Sequence, residues 1–324
     1  MSSSLRASAQ ALASLLLGSL AFVLAVCTNI TGSRTALVLT GISFLLAIVL
    51  GALARIEANR SGGQLAGAGR VPIGIVIAVC AVIPVFVGAA EAVRWATVRM
   101  QGINNLKSIG LAMQAYQEEH GRLPPAAVRD KEGRPLLSWR VLLLPYLEDR
   151  ELYNKFRLDE PWDSRHNRAL LDRMPGIYRA LPGNPESEPN TTVYQVFVGK
   201  GTVFEREGLT AEKINAADGC ANTILVVEAG ESVPWTKPAD LRYAADQPLP
   251  PLGDLYRKEN YVNPRGRFLA LFADGSVRCF FHDTPERLIR PLLTWKGGEE
   301  VDWNQLEPWC RGMRGEATLG KPRP

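Results

Sequence analysis

The side chains able to do chemistry are few and scattered. The chain has three histidines, His120, His166 and His282, and none has a second histidine or a carboxylate at a metal-ligand spacing. His120 closes a helical stretch, where a cation complements the helix dipole, so it reads as structural. Ser232, in Gly230-Glu231-Ser232-Val233-Pro234, lacks the second glycine of a nucleophile elbow. Gly199-Lys200-Gly201-Thr202 has a superficial likeness to a phosphate loop. Tyr194 stands where its first glycine should be, and the lysine is not followed by Ser or Thr, so a tight connection between two strands accounts for it better.

Carboxylates give more candidates. Adjacent acids occur at Glu118-Glu119, Glu148-Asp149, Asp159-Glu160 and Glu299-Glu300. Two carboxylates about 5 to 10 Å apart across a cleft serve glycoside hydrolysis, and a hydrolase reading would use carboxylates such as Asp159 or Glu228. Sequence neighbours usually point different ways. Asp218-Gly219 and Asp274-Gly275 are the candidates for calcium, a hard cation that takes carboxylate and carbonyl oxygens in loops. Turn chemistry explains both Asp-Gly pairs without an ion. Trp162 and Trp235, in polar loops with Asp163 and Lys237 beside them, form a candidate ligand or partner surface. The plain alternative is that each ring plugs the edge of a core. No cofactor and no catalytic set is expected.

The elements that would position these residues begin with three uncharged runs, Ala11 to Ile30, Thr35 to Ala54 and Val71 to Ala90. Each has the roughly twenty residues that cross a hydrocarbon core of about 30 Å, so three transmembrane helices are expected, with the lipid bilayer as a partner. Arg55, Arg60 and Arg70 lie between the second and third runs, against Arg34 alone between the first and second. By the positive-inside rule, a multi-pass protein of the bacterial inner membrane results, with its C-terminal part facing the periplasm or exterior. The net charge of +4 comes from scattered arginines, and no basic face interleaved with aromatics argues for nucleic acid. Cys27 and Cys80 fall in the runs. Cys220, Cys279 and Cys310 follow later, and an odd number leaves any pairing open.

The third run does not stop at Ala90. Trp95, Val98, Ile103, Leu106, Ile109, Met113 and Tyr116 recur every three to five residues, mostly three or four, and draw one helical face, ending at His120-Gly121 ahead of Pro124-Pro125. The pattern predicts one long helix, its first half in lipid and its second half covered by a sheet from the rest of the chain. Beyond it the spacing predicts short helices opening at Trp139, Glu151 and Arg165, the last capped by Asp163-Ser164. Strands are predicted at Val193 to Val198 and Thr223 to Val227, with a hairpin over Phe268 to Phe281 turning on Asp274-Gly275. Pro234 to Pro251 reads as an irregular surface loop, and a last helix runs from about Pro285 to Leu293. Four segments follow: 1–70 (two spans and a connector), 71–120 (the long helix), 121–306 (an extracytoplasmic α+β domain) and a disordered tail at 307–324.

Several motifs are recognisable as a set. Asn104-Asn105-Leu106-Lys107-Ser108-Ile109-Gly110, Leu137-Ser138-Trp139-Arg140-Val141-Leu142, Leu158-Asp159-Glu160-Pro161-Trp162-Asp163-Ser164, Asn222-Thr223-Ile224-Leu225-Val226-Val227-Glu228 and Phe272-Ala273-Asp274-Gly275-Ser276 resemble the bacterial family known as domain of unknown function 1559. The resemblance covers roughly residues 100 to 306. It implies a fold similar to type II secretion pseudopilins: α+β, with a long N-terminal pilin-like helix packed on a small antiparallel β-sheet. It implies no activity. Two features depart from the family's pattern. Val71-Pro72-Ile73-Gly74-Ile75 lacks the Phe and the acid of a prepilin cleavage motif, and Pro264 stands where many members have a His ten residues before Asp274.

The expected function is a membrane-anchored, non-enzymatic structural or interaction module, with a protein partner or self-association through the long helix. Carbohydrate binding outside the cytoplasm and a carboxylate-dependent hydrolase are the alternatives.

Overall fold

The computed structural model describes Ile56, Thr97 and residues 99–179, 189–205, 207–253 and 266–309. The first long element, α1, covers residues 99–120 and stops where the periodicity predicts. Gly121, with φ of 68°, takes the left-handed cap conformation, and its N–H donates to the Gln117 carbonyl at 2.7 Å. Ile103, Leu106, Ile109, Met113 and Tyr116 are all buried, while Asn104, Lys107, Ser108, Gln114 and Glu118 are exposed. The helix is amphipathic because one face meets a sheet and the other meets water.

That sheet has four strands in the order β3 (Thr191–Gln195), β5 (Ile224–Pro234), β7 (Arg267–Phe272) and β8 (Val277–Phe281), each antiparallel to its neighbour. Successive side chains on a strand face opposite ways. Leu269, Leu271 and Cys279 join the α1 side, and Phe268, Ala270, Phe272 and Phe280 join the other. The far side is covered by α6 (Glu286–Ile289), the turn through Leu292-Leu293, and Leu306 of α7 (Trp303–Leu306). Both faces are buried, which is why β7 reads as an unbroken apolar run.

The α1 side is completed by a hairpin, β1 (Ala127–Arg129) with β2 (Pro135–Ser138), and by the short helices α2 (Trp139–Leu142), α3 (Arg150–Tyr153) and α4 (Arg165–Arg168). All three helix starts are capped, that of α4 as expected: the side chains of Ser138, Asp149 and Ser164 accept from the N–H groups of Arg140, Leu152 and Asn167. A further short helix, α5 (Ala211–Asn215), is capped by Thr210.

Three expectations change. The fold is α+β with a small antiparallel sheet, as expected, but it does not bear out the three transmembrane helices: among the described residues no helix is long and apolar enough to cross a membrane. The one helix that was to continue a span, α1, carries polar and charged residues along its outer face. The runs 11–30, 35–54 and 71–90 lie outside the described residues, as does the tail from residue 310.

The hairpin turn is also different. Gly275 N–H donates to Phe272 O at 3.0 Å, and Phe272 N–H donates to Ser276 O at 2.8 Å. Ala273-Asp274 are therefore the central pair, and Gly275, with φ of 79°, follows as the left-handed bulge residue.

Lastly, Pro234 to Pro251 is not a surface loop along its whole length. Trp235 is fully buried, and β6 (Leu241–Arg242) pairs in parallel with β4 (Phe197–Val198).

Candidate functional site

One densely hydrogen-bonded polar group in the interior is one that the sequence patterns did not single out. Arg140 is fully buried on α2. Its Nε and Nη2 donate to the Tyr194 carbonyl at 2.9 and 2.6 Å, Nη1 donates to Ser138 Oγ at 2.7 Å, and Nη2 also reaches Asp240 Oδ1 at 2.9 Å. Asp240 Oδ1 accepts as well from the Trp139 indole at 3.2 Å and from Val196 N–H at 3.0 Å. Burial raises the Asp240 pKa, and Arg140 with these donors opposes that rise. The available signal was an arginine set within Pro135-Leu136-Leu137-Ser138-Trp139-Arg140-Val141-Leu142-Leu143-Leu144, where a charge with no route to water needs a partner.

Trp235 supports this node from below. Its ring stacks on Tyr178 with centroids 6.0 Å apart and meets Phe156 edge-on at 5.8 Å, and its Nε1 donates to Leu171 O at 3.0 Å. Tyr178 OH in turn donates to the Arg140 carbonyl at 3.0 Å. Of the expected surface residues, Trp235 is thus removed to the core. Trp162 and Lys237 are brought together: the ring is half-buried, the ammonium lies 5.5 Å from its centroid, and Trp162 N–H is fixed to Leu136 O at 2.8 Å. Asp163, next to Trp162, is exposed.

The two aspartates weighed for calcium serve separate turns. Asp274 Oδ1 accepts from Ser276 N–H at 2.9 Å within the hairpin. Asp218 Oδ2 accepts from Gly297 N–H at 2.6 Å, and Oδ1 from Gly298 N–H at 3.1 Å, tying the C-terminal segment to the turn before β5. Among the described residues, no group of three or more His, Cys, Asp and Glu side chains could hold a metal ion.

Of the carboxylates weighed for hydrolysis, Asp159 is exposed and Glu228 is buried at 3 % exposure. Cys220 and Cys279 are both free thiols, and Cys310 lies outside the described residues. His120 belongs to a cluster at the end of α1. Tyr146 OH donates to Glu119 Oε2 at 2.8 Å and lies 3.1 Å from His120 Nε2. Burial and the Glu119 carboxylate together push the Tyr146 hydroxyl well above its ordinary range, so it stays a neutral donor.

Residues 91–250, which include α1, the Arg140–Asp240 node and the Trp162–Lys237 contact, match the family described as Protein of unknown function (DUF1559). Over that segment the match is consistent with this family. The match bears out the kinship drawn from the Asn104, Ser138 and Trp162 motifs, and the DUF1559 description assigns no activity. No match is found among curated proteins or among solved structures.

Proposed function

We propose that this DUF1559 domain is a non-catalytic interaction module, and that it receives a protein partner on the surface around Trp162 and Lys237. The observation that carries the reading is the Trp162–Lys237 contact itself: an aromatic ring and a cation, 5.5 Å apart, held on a fixed backbone beside the exposed Asp163. Aromatic anchors with a polar rim are what protein interfaces use. The support beneath is rigid, because Trp235 and the Arg140–Asp240 pair are spent on packing and hydrogen bonds inside the core and have no exposure through which to meet a substrate.

Placing a photoreactive residue at Asp163 in the full chain tests the reading. The expected result is one discrete protein adduct in the native cell, lost on Trp162→Ala in a variant that keeps its fold. No adduct, or one indifferent to Trp162, rejects it.

Self-association through α1 is a second route, favoured by Met100 and Leu111, which are 39 % and 67 % exposed on the outer face. A photoreactive residue at Leu111 would then give a crosslink between two copies of this chain.

A further inference from the structure

β5 and β7 separate at Glu228. Val227 still pairs with Ala270, but the Glu228 carbonyl accepts from Gly253 N–H at 3.0 Å. The Leu269 N–H donates instead to the Glu228 side chain, at 2.9 Å from Oε2. A carboxyl group thus stands in for a main-chain acceptor where the ladder forks, and it does so deep in the sheet, at 3 % exposure.

Its surroundings come from four elements. On β3, Tyr194 is the cross-strand partner of Glu228, and the Tyr194 hydroxyl accepts from Asn105 Nδ2 of α1 at 3.3 Å. On β8, Cys279 is paired with Leu269, the residue whose N–H the carboxyl holds. Arg267 of β7 lies over the Phe281 ring at 4.7 Å, and the charges of Arg267, Glu228 and Arg99 of α1 all reach the Cys279 thiol. Two buried atoms here, Glu228 Oε1 and Arg267 Nε, have no hydrogen-bond partner. A neutral carboxyl tolerates one bare oxygen at modest cost. A buried carboxylate does not, because its charge calls for water or a cation.

We propose that Glu228 is a proton-operated latch for α1: the neutral carboxyl lets the helix seat on the sheet, and ionisation draws water beneath it and loosens it. The neighbouring groups leave Glu228 as the one that changes charge. Burial pushes both Tyr194 and Cys279 upward, and arginine does not deprotonate in proteins. Burial, opposed only by the Leu269 N–H, pushes Glu228 from 4.5 up to about 7. A raised carboxyl means that the native state binds the extra proton. Its contribution to stability is complete below the ordinary carboxyl range and is lost as pH rises through about 7. The latch does not depend on the partner surface at Trp162.

Amide exchange on the full chain, corrected for intrinsic rates, tests it. Protection of residues 103–116 should fall by about tenfold per pH unit between roughly pH 5 and 7 and then level off. Residues 286–293, on the opposite face of the sheet, should not follow. Glu228→Gln should keep the low-pH protection through pH 8. An unchanged profile in Glu228→Gln overturns the latch, as does an equal fall at 286–293, which would mean unfolding of the whole domain. Should the Gln variant not fold, infrared spectra of the wild-type chain with carbon-13-labelled glutamate decide alone. A protonated carboxyl band vanishing with a midpoint near 7 supports the latch, and its absence at pH 5 overturns it.

Discussion

Arg140 and Asp240, one hundred positions apart in the chain, meet at 2.9 Å with their side chains 0 % and 3 % exposed. The contact ties the α2 start to the segment before β6 and closes over the end of β3. Breaking such a pair from one side leaves an uncompensated buried charge, which costs about 3–5 kcal/mol. Asp240→Ala and Arg140→Met should each lower stability by about that much in urea unfolding. The double variant should cost clearly less than the sum, because it strands no charge. Strict additivity would show that the two side chains act independently.

Trp235 fills the space between Tyr178 and Phe156 while its indole N–H holds Leu171 O. Trp235→Ala should cost about 3–5 kcal/mol from lost burial and the cavity left behind. Trp162→Ala, at a half-buried surface position, should cost at most about 1 kcal/mol. Thermal unfolding of the two variants side by side measures the contrast. Equal losses would contradict the placement of one ring in the core and the other at its edge.

Gly110 lets α1 approach the sheet. A Cβ at that position would stand 3.1 Å from Leu271 Cδ1. Gly110→Ala gains helix propensity of up to about 1 kcal/mol and asks Leu271 to yield a few tenths of an ångström, so its net effect should be small. Gly110→Val adds two methyl groups on the packed side and should destabilise by about 1–3 kcal/mol. Denaturant midpoints at constant slope separate the two, and a harmless valine would mean that the helix stands farther from β7.

Asp218 fastens the C-terminal segment through the N–H groups of Gly297 and Gly298. Asp218→Ala should cost about 1–2 kcal/mol of local stability and open residues 297–309 to limited proteolysis before the sheet is affected. Unchanged cleavage there would assign the anchoring to Trp303 and Leu306 instead.

The α1 stripe, the cap at Ser164, and the Phe268 to Phe281 hairpin were legible because each rests on contacts within a few residues. A helix repeats every 3.6 residues and a strand every two, and a cap lies next to the turn it serves. The Asn104, Ser138 and Trp162 motifs carried the DUF1559 kinship for the same reason: they are contiguous. Asp274-Gly275 was legible as a turn, but its register was not. Which residues become central depends on the pairing of Leu271 with Val277 across the hairpin.

Tertiary structure alone decided the partners. Asp240 in a proline-rich stretch has the composition of a solvated loop, and only the distant Arg140 makes it a core residue. Trp162 and Trp235 have similar neighbours in sequence, yet one meets Lys237 at the surface and the other is enclosed by Tyr178 and Phe156. Glu228 lies in an apolar strand whose composition marks it as odd without saying why. The reason is the fork between β5 and β7, where the Leu269 N–H would otherwise go without an acceptor. Local patterns determined the elements, since propensity and periodicity act along the chain. The burial of a charge or a ring is set by what arrives from elsewhere, which no short window of sequence contains.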